Sequence, residues 1–202
     1  VLPVSCNGGS NGRVDITPSG GTTPYTYAWS NGTSTQDLNG VPANTYTVTV
    51  TDNRGCTKTL TATVTEPAAL VLNTTAIPVS CFGGTNGGVN LTVSGGATPY
   101  QYNWGSITTQ NLSNVPAGIY TVTVTDLNNC TASATATVTQ PTAIVATASA
   151  TPATCAGGNN GTATVSATGG TGAYTYVWSG GAGTNATATN LAAGTYTVTV
   201  TD

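Results

Sequence analysis

Five cysteines stand in a chain with no histidine, no methionine and one lysine, so sulfur is where covalent chemistry is concentrated. Cys6 and Cys56 lie 50 residues apart and Cys81 and Cys130 lie 49 apart, while Cys155 has no partner at that distance before Asp202. The matched spacing predicts two disulfides, Cys6–Cys56 and Cys81–Cys130, with Cys155 unpaired in this stretch. Four cysteines allow three connectivities, so Cys56–Cys81 stays open as well, and buried free thiols are the plainer alternative. A unit of about 75 residues buries only around 60% of its unfolded surface, and closing such a loop adds roughly 4 kcal/mol on the entropy model. A disulfide would place the protein in an oxidising, extracellular compartment. With no Cys-x-x-Cys and no histidine, a zinc site is not expected.

Other residue types offer weaker chemistry. Asp52, Asp126 and Asp202 end equivalent segments, where carboxylate oxygens could take calcium. That ion wants six to eight oxygens, and turn aspartates bonded to their own backbone are the simpler reading, so no cofactor is expected. The loops Gly8-Gly-Ser-Asn-Gly12, Gly83-Gly-Thr-Asn-Gly87 and Gly157-Gly-Asn-Asn-Gly161 look like phosphate cradles, but no Lys or Ser/Thr-led helix follows. Turns needing positive φ explain them better. Trp29, Trp104 and Trp178 could stack on sugars, although strand positions favour a core role together with Tyr46, Tyr120 and Tyr196. The row Thr59, Thr61, Thr63 and Thr65 has an ice-binding look that β-propensity on a wet face accounts for. The Asn-x-Ser/Thr triplets at Asn31, Asn73, Asn90, Asn111 and Asn185 carry little weight if the source is bacterial. No nucleophile–base pair is present, so an enzyme is not expected. Six acids against Arg13, Arg54 and Lys58 leave no basic footprint for nucleic acid or an acidic membrane. No run of 18 apolar residues points to a membrane span.

The elements that must position these residues recur. Tyr46-Thr-Val-Thr-Val-Thr-Asp52 returns at Tyr120–Asp126 and Tyr196–Asp202, and the three tryptophans and the cysteines Cys6, Cys81 and Cys155 keep the same phase of 75 and 74 residues. A unit written three times argues for a structural array. Within it Tyr46, Val48 and Val50 face one side and Thr47, Thr49 and Thr51 the other, the pattern of a half-buried antiparallel strand. Val14 and Ile16 point inward, Tyr25, Tyr27 and Trp29 share a face, and Leu60, Ala62 and Val64 alternate with threonines in the last strand. No segment has a helical stripe. The expected class is all-β, a tandem array of small antiparallel Ig-like (PKD-like) β-sandwiches.

Glu66-Pro67 and Gln140-Pro141 follow Thr/Val strands, and proline cannot extend a ladder. They divide the chain into 1–66, 67–140 and 141–202. The middle unit opens with an extra strand, Leu70-Val-Leu-Asn-Thr74. The first unit is expected to lack that opening strand and the third its closing one. A start on Val1 rather than Met then suggests a window cut from a longer tandem. A unit about 30 Å long would make three of them a rod near 100 Å.

Val4-Ser-Cys-Asn-Gly-Gly-Ser-Asn-Gly12, Gly20-Gly-Thr-Thr-Pro-Tyr-Thr-Tyr-Ala-Trp29 and Tyr46–Cys56, occurring in that order, resemble the SprB repeat. In the third unit Ala173 replaces the proline of Pro24-Tyr25, and Ser179–Thr184 enlarges the loop after Trp178. The resemblance implies repeats of giant surface adhesins of gliding Bacteroidetes, secreted by the type IX route to the cell surface and serving adhesion or gliding. The expected function is thus a non-enzymatic stalk of a long secreted adhesin or filament. Its expected partners are neighbouring repeats, lateral or end-to-end copies of itself, and a surface polysaccharide or abiotic surface. The alternative is an array of carbohydrate-binding modules.

Overall fold

The computed structural model describes residues 1–202 and is all-β, with one 3₁₀ turn at Ser179–Gly181 as its only helical piece. The first copy of the motif contributes β1 (Gly12–Val14), β2 (Thr26–Trp29), β3 (Leu38–Val41), β4 (Asn44–Thr51) and β5 (Thr57–Val64). The middle copy contributes β6 (Val71–Ile77), β7 (Gly87–Ser94), β8 (Gln101–Asn103), β9 (Leu112–Val115), β10 (Gly118–Thr125) and β11 (Thr131–Val138). The third contributes β12 (Thr142–Thr151), β13 (Gly161–Gly170), β14 (Thr175–Trp178), β15 (Thr187–Leu191) and β16 (Val198–Thr201).

Each copy forms two sheets. Their orders are β1-β3 and β2-β4-β5, then β6-β7-β9 and β11-β10-β8, then β12-β13-β15 and β14-β16. The paired strands are antiparallel, and β4 and β5 run in register from Asn44↔Val64 to Thr51↔Thr57. In the first copy the core takes Val14, Leu38 and Val41 from one sheet and Trp29, Tyr46, Val48 and Val64 from the other, which makes a sandwich. Period-two alternation causes this: Tyr46 and Val48 point inward while the threonines between them face water. The wet face bonds across the strands. Thr45 meets Thr63 at 3.1 Å and Thr47 meets Thr61 at 3.3 Å, and Thr121 meets Thr135 at 3.1 Å in the middle copy.

By contact density the chain falls into two compact units. The first is Val1–Thr75, Asn90–Gln110 and Tyr120–Thr135, and the second is Ala76–Val89, Asn111–Ile119 and Ala136–Asp202. The first unit holds the core just described and a second cluster of Leu91, Val122 and Val124 with Leu72, Tyr102, Trp104 and Ala134 around it. The second unit holds Ala163, Val165, Trp178, Ala188 and Leu191.

Polar anchors tie the aromatic rings to the backbone. Tyr25, Tyr100 and Tyr174 donate to the carbonyls of Gly20, Gly95 and Gly169, each five residues upstream. Tyr46 donates to Pro42 at 2.9 Å and Tyr196 to Ala192 at 3.2 Å, the arrangement of a tyrosine corner. The indole N–H groups of Trp29, Trp104 and Trp178 donate to Thr35, Thr109 and Asn185. These acceptors lie six, five and seven residues on, so the middle loop is the shortest. Trp29 and Trp178 are each 4% exposed, whereas Trp104 is only half-buried under its smaller loop. Tyr46 is buried, and Tyr120 and Tyr196 are half-buried. Leu60, expected inward with Ala62 and Val64, is instead 53% exposed and lines an open groove.

Unequal loop cover should be measurable. Trp29→Ala and Trp178→Ala are expected to cost about 3–5 kcal/mol in urea unfolding of their own copies, and Trp104→Ala about half as much. Acrylamide should quench the emission of Trp104 well before that of the other two, as read in single-tryptophan variants.

Candidate functional site: the junction between copies

Each Gly-Gly loop is held shut by one asparagine. Asn11 accepts from the Ser5 amide at 3.0 Å and donates to the Ser5 hydroxyl at 2.6 Å. Asn86 treats Ser80 in the same way at 3.1 and 2.7 Å, and Asn160 treats Thr154 at 3.0 and 2.8 Å. Gly9, Gly84 and Gly158 donate to the carbonyls of Cys6, Cys81 and Cys155. Gly8, Gly83 and Gly157, at φ of +73°, +72° and +76°, make the turn a side chain would resist. The residue before each linker proline then latches the loop tip: Gly8 donates to Glu66 at 2.5 Å and Gly83 to Gln140 at 2.8 Å.

At the opposite end of a sandwich, the turn after β4 or β10 forms a corner around an aspartate. Asp52 accepts from Thr22 through one oxygen and from Arg54 and Cys56 through the other, all at 2.9 Å. Asp126 accepts from Ala97, Asn128 and Cys130 at 2.8–2.9 Å, and is only 3% exposed. The Thr22 amide above all, with those of Cys56 and Arg54, holds Asp52 below the ordinary carboxylate range against a lesser opposing push from burial. At Asp126 burial is the largest influence and pushes upward, yet the amides of Ala97, Cys130 and Asn128 together outweigh it and the net direction is down. Asp202 accepts from Thr171 at 2.6 Å. These carboxylates serve backbone donors, and no cluster of metal-binding side chains gathers around them.

Loop and corner meet where the first copy joins the middle one. Asn128 donates from its side chain to the Ser5 carbonyl at 3.0 Å, and Asn7 donates to the Pro67 carbonyl at 3.1 Å. Cys6 and Cys130 are joined by a disulfide spanning 124 residues, with Cα atoms 5.6 Å apart. Cys56, Cys81 and Cys155 are free and exposed.

The pairing corrects the expected Cys6–Cys56 and Cys81–Cys130 bonds, and strand length is the reason. Val4 donates to Thr65 at 2.9 Å, which fixes the Cys6 loop beside the far end of β5, while Cys56 precedes its near end. Eight residues of strand at about 3.3 Å each put roughly 25 Å between them, against the ~7 Å that a disulfide tolerates between Cα atoms. β11, also eight residues long, intervenes in the same way between Cys130 and the Cys81 loop, whose Val79 donates to Thr139. The two sulfurs of one copy therefore cannot meet, and a bond forms only where the loop of one copy reaches the corner of the next. Sequence reasoning passed over Asn7, Glu66 and Asn128, taking Glu66-Pro67 as a strand stop alone. Recurrence of the acceptor as Gln140-Pro141 was the available signal.

A family model described as the SprB repeat matches residues 1–34, 73–109 and 147–183, more than half of the chain. The chain belongs to the SprB repeat family. Membership makes it a repeat protein of the cell surface, and no helix in it is long and apolar enough to cross a membrane. Among curated proteins none matches the chain. Solved structures similar to this SprB-repeat chain include an amphioxus IgVJ-C2 molecule at 12% identity and TM-score 0.31, covering 65% of this chain and 98% of that one. Another, described as the structural basis for Dscam isoform specificity, is 13% identical with TM-score 0.30, covering 69% of this chain and 42% of that one. The four N-terminal Ig domains of Dscam1 isoform 9.44 match at 12% identity and TM-score 0.30, over 65% of this chain and 46% of that one.

Two outcomes follow for the SprB junction. Reduction of Cys6–Cys130 should accelerate amide exchange at Gly8, Gly9 and Cys130 while Val48 and Val122 keep their protection, because the bond joins copies rather than closing a core. Mass spectrometry of exchanged peptides reads this directly. For pH, a carboxyl lowered in the folded state contributes stability that is complete above its unfolded value and lost as pH falls through the folded one. Acid unfolding should therefore steepen below the ordinary aspartate range, and Asp126→Asn should flatten that limb while lowering stability at neutral pH.

Proposed function

We propose that this chain is a load-bearing, non-enzymatic stalk segment of a long secreted bacterial adhesin or filament, exported by the type IX route and serving adhesion and gliding. The observation that carries the reading is the disulfide from Cys6 in one copy to Cys130 in the next, since a bond across a junction resists separation of whole modules. Three further features support it. The corners and loops are self-satisfied, with Asp52 and Asp126 occupied by amides. The indole N–H groups bond to their own loops, and two of the three rings lie inside the core, which speaks against the carbohydrate-binding alternative. Nine charged side chains leave a near-neutral Thr, Ser and Asn surface suited to weak polar contact with a polysaccharide or an abiotic surface. The neighbouring copies of the same long chain are its structural partners.

Pulling single molecules by their termini tests the proposal. The oxidised chain should withhold the 124 residues between the sulfurs from extension, and reduction should release up to about 400 Å of additional contour length. Equal lengths in the two states would remove the load-bearing reading. Titration with soluble polysaccharide should leave tryptophan emission unchanged; a saturable change would move the assignment to a sugar-binding array.

A further inference from the structure

We propose that the junction docks before it is oxidised: Asn7 and Asn128 seat the Cys6 loop on the Cys130 corner, and the disulfide is the last bond made there. Asn128 is then a positioning residue that presents Cys130 to Cys6 and selects this pairing over closer ones. The inference rests on contacts among residues 5–8, 66–67 and 126–130 and is independent of the adhesin reading.

Spacing alone disfavours the observed bond. Cys56 and Cys81 are 25 residues apart, as are Cys130 and Cys155, whereas Cys6 and Cys130 are separated by 124. Closure of a flexible chain falls off as about the −3/2 power of loop length, so in an unfolded chain either short bond outcompetes Cys6–Cys130 about tenfold. Folded surfaces have to reverse that preference.

Each half of the junction is set within its own copy, without help from the sulfur. Asn11 brackets the amide and hydroxyl of Ser5, which fixes Ser5 in the loop. Asp126 holds the amides of Asn128 and Cys130 at 2.8 and 2.9 Å. The same geometry occurs around cysteines that carry no disulfide. Gly84 donates to Cys81 at 3.0 Å and Gly158 to Cys155 at 2.9 Å, as Gly9 does to Cys6 at 3.0 Å. Asp52 likewise accepts from the Cys56 amide at 2.9 Å. Loop and corner are therefore shaped before any bond joins them.

Docking converges on the Ser5 carbonyl. Its oxygen accepts from the Asn128 side chain at 3.0 Å and lies 3.4 Å from the Cys130 sulfur. A carbonyl oxygen has two lone pairs, so in the reduced chain it takes the Asn128 amide and the Cys130 thiol together and parks that thiol beside Cys6. On the linker side Asn7 donates to the Pro67 carbonyl at 3.1 Å, next to the Gly8 amide that holds Glu66. The Gly8 latch recurs at Gly83 and Gln140, but the two asparagine donors do not recur. Phe82 and Ala156 stand in the place of Asn7, and Arg54 in the place of Asn128. What is peculiar to this seam is what can select its pairing.

The oxidation itself needs an external disulfide. A thiolate of Cys6 or Cys130 attacks it, forming a mixed disulfide and releasing one thiol. The other cysteine then attacks the protein sulfur of the mixed bond and releases the second thiol, so two electrons and two protons leave with the reduced reagent.

The test takes the full chain, reduced and folded, into buffers of reduced and oxidised glutathione, traps the pairings with acid and reads them by peptide mapping. Cys6–Cys130 should form first, with an effective concentration well above the ~mM of a flexible tether. Oxidation in denaturant should instead give mainly Cys56–Cys81 and Cys130–Cys155. Asn7→Ala and Asn128→Ala should each lower the effective concentration about three- to tenfold, the range of one hydrogen bond. Asn128→Asp, which keeps the shape without the donor, should lose as much, and Asn128→Gln should recover part of it. Amide protection at Val48 and Val122 of the reduced variants should match the parent, which separates positioning from loss of fold. An effective concentration at or below ~mM overturns the proposal. So does one that both alanine variants leave unchanged, or a loss in the Asn128 variants that is matched by lost protection at Val48 and Val122.

Discussion

An eight-residue hairpin governs how this protein is held together. Because β4 and β5 run in register along their whole length, the loop carrying Cys6 and the corner carrying Cys56 are kept at opposite ends of one sandwich. Sulfur chemistry is thereby directed outward, from module to module. A shorter hairpin would let each small domain close on itself, and the copies would be linked by peptide alone. The usual service of a disulfide in a small secreted domain, compensating a thin core, is here transferred to the seam.

What replaces an internal disulfide is a set of hydrogen bonds at each end. The corner aspartates gather three amides apiece, one reaching back from the strand-leading Gly-Gly turn, so that two loops distant in sequence are pinned to one side chain. Tyrosine hydroxyls and indole N–H groups pin the remaining loops to their own carbonyls. The tyrosine and indole contacts are local, spanning four to six residues. They let a core built from a few valines and one tryptophan per copy fix its loops through hydrogen bonds to the backbone.

Much of this was legible in the sequence, for physical reasons that can be named. Strict alternation in Tyr46–Asp52 and its copies has only one backbone solution, which is why the strands, the buried Val48 and Val122 and the wet threonine face could be read directly. Turn glycines were legible for the same reason. Disulfide connectivity was not. Equal spacing between cysteines reports only that the unit repeats, and the pairing depends on which end of a strand each sulfur occupies. The depth of Trp104 was equally hidden, since a loop one residue shorter than that over Trp29 changes how much of the ring it can cover. Leu60 alternates correctly with its threonines but has nothing above it, and alternation says nothing about what lies over a face.

The bond from Cys6 to Cys130 gives the chain a second route of connection over 124 residues. A proteolytic nick anywhere in that span leaves the fragments attached, and a reductant acting alone leaves the backbone whole. Severing that stretch takes two lesions of different chemistry. For a repeat protein of the cell surface, that is tolerance to damage through redundancy of connection.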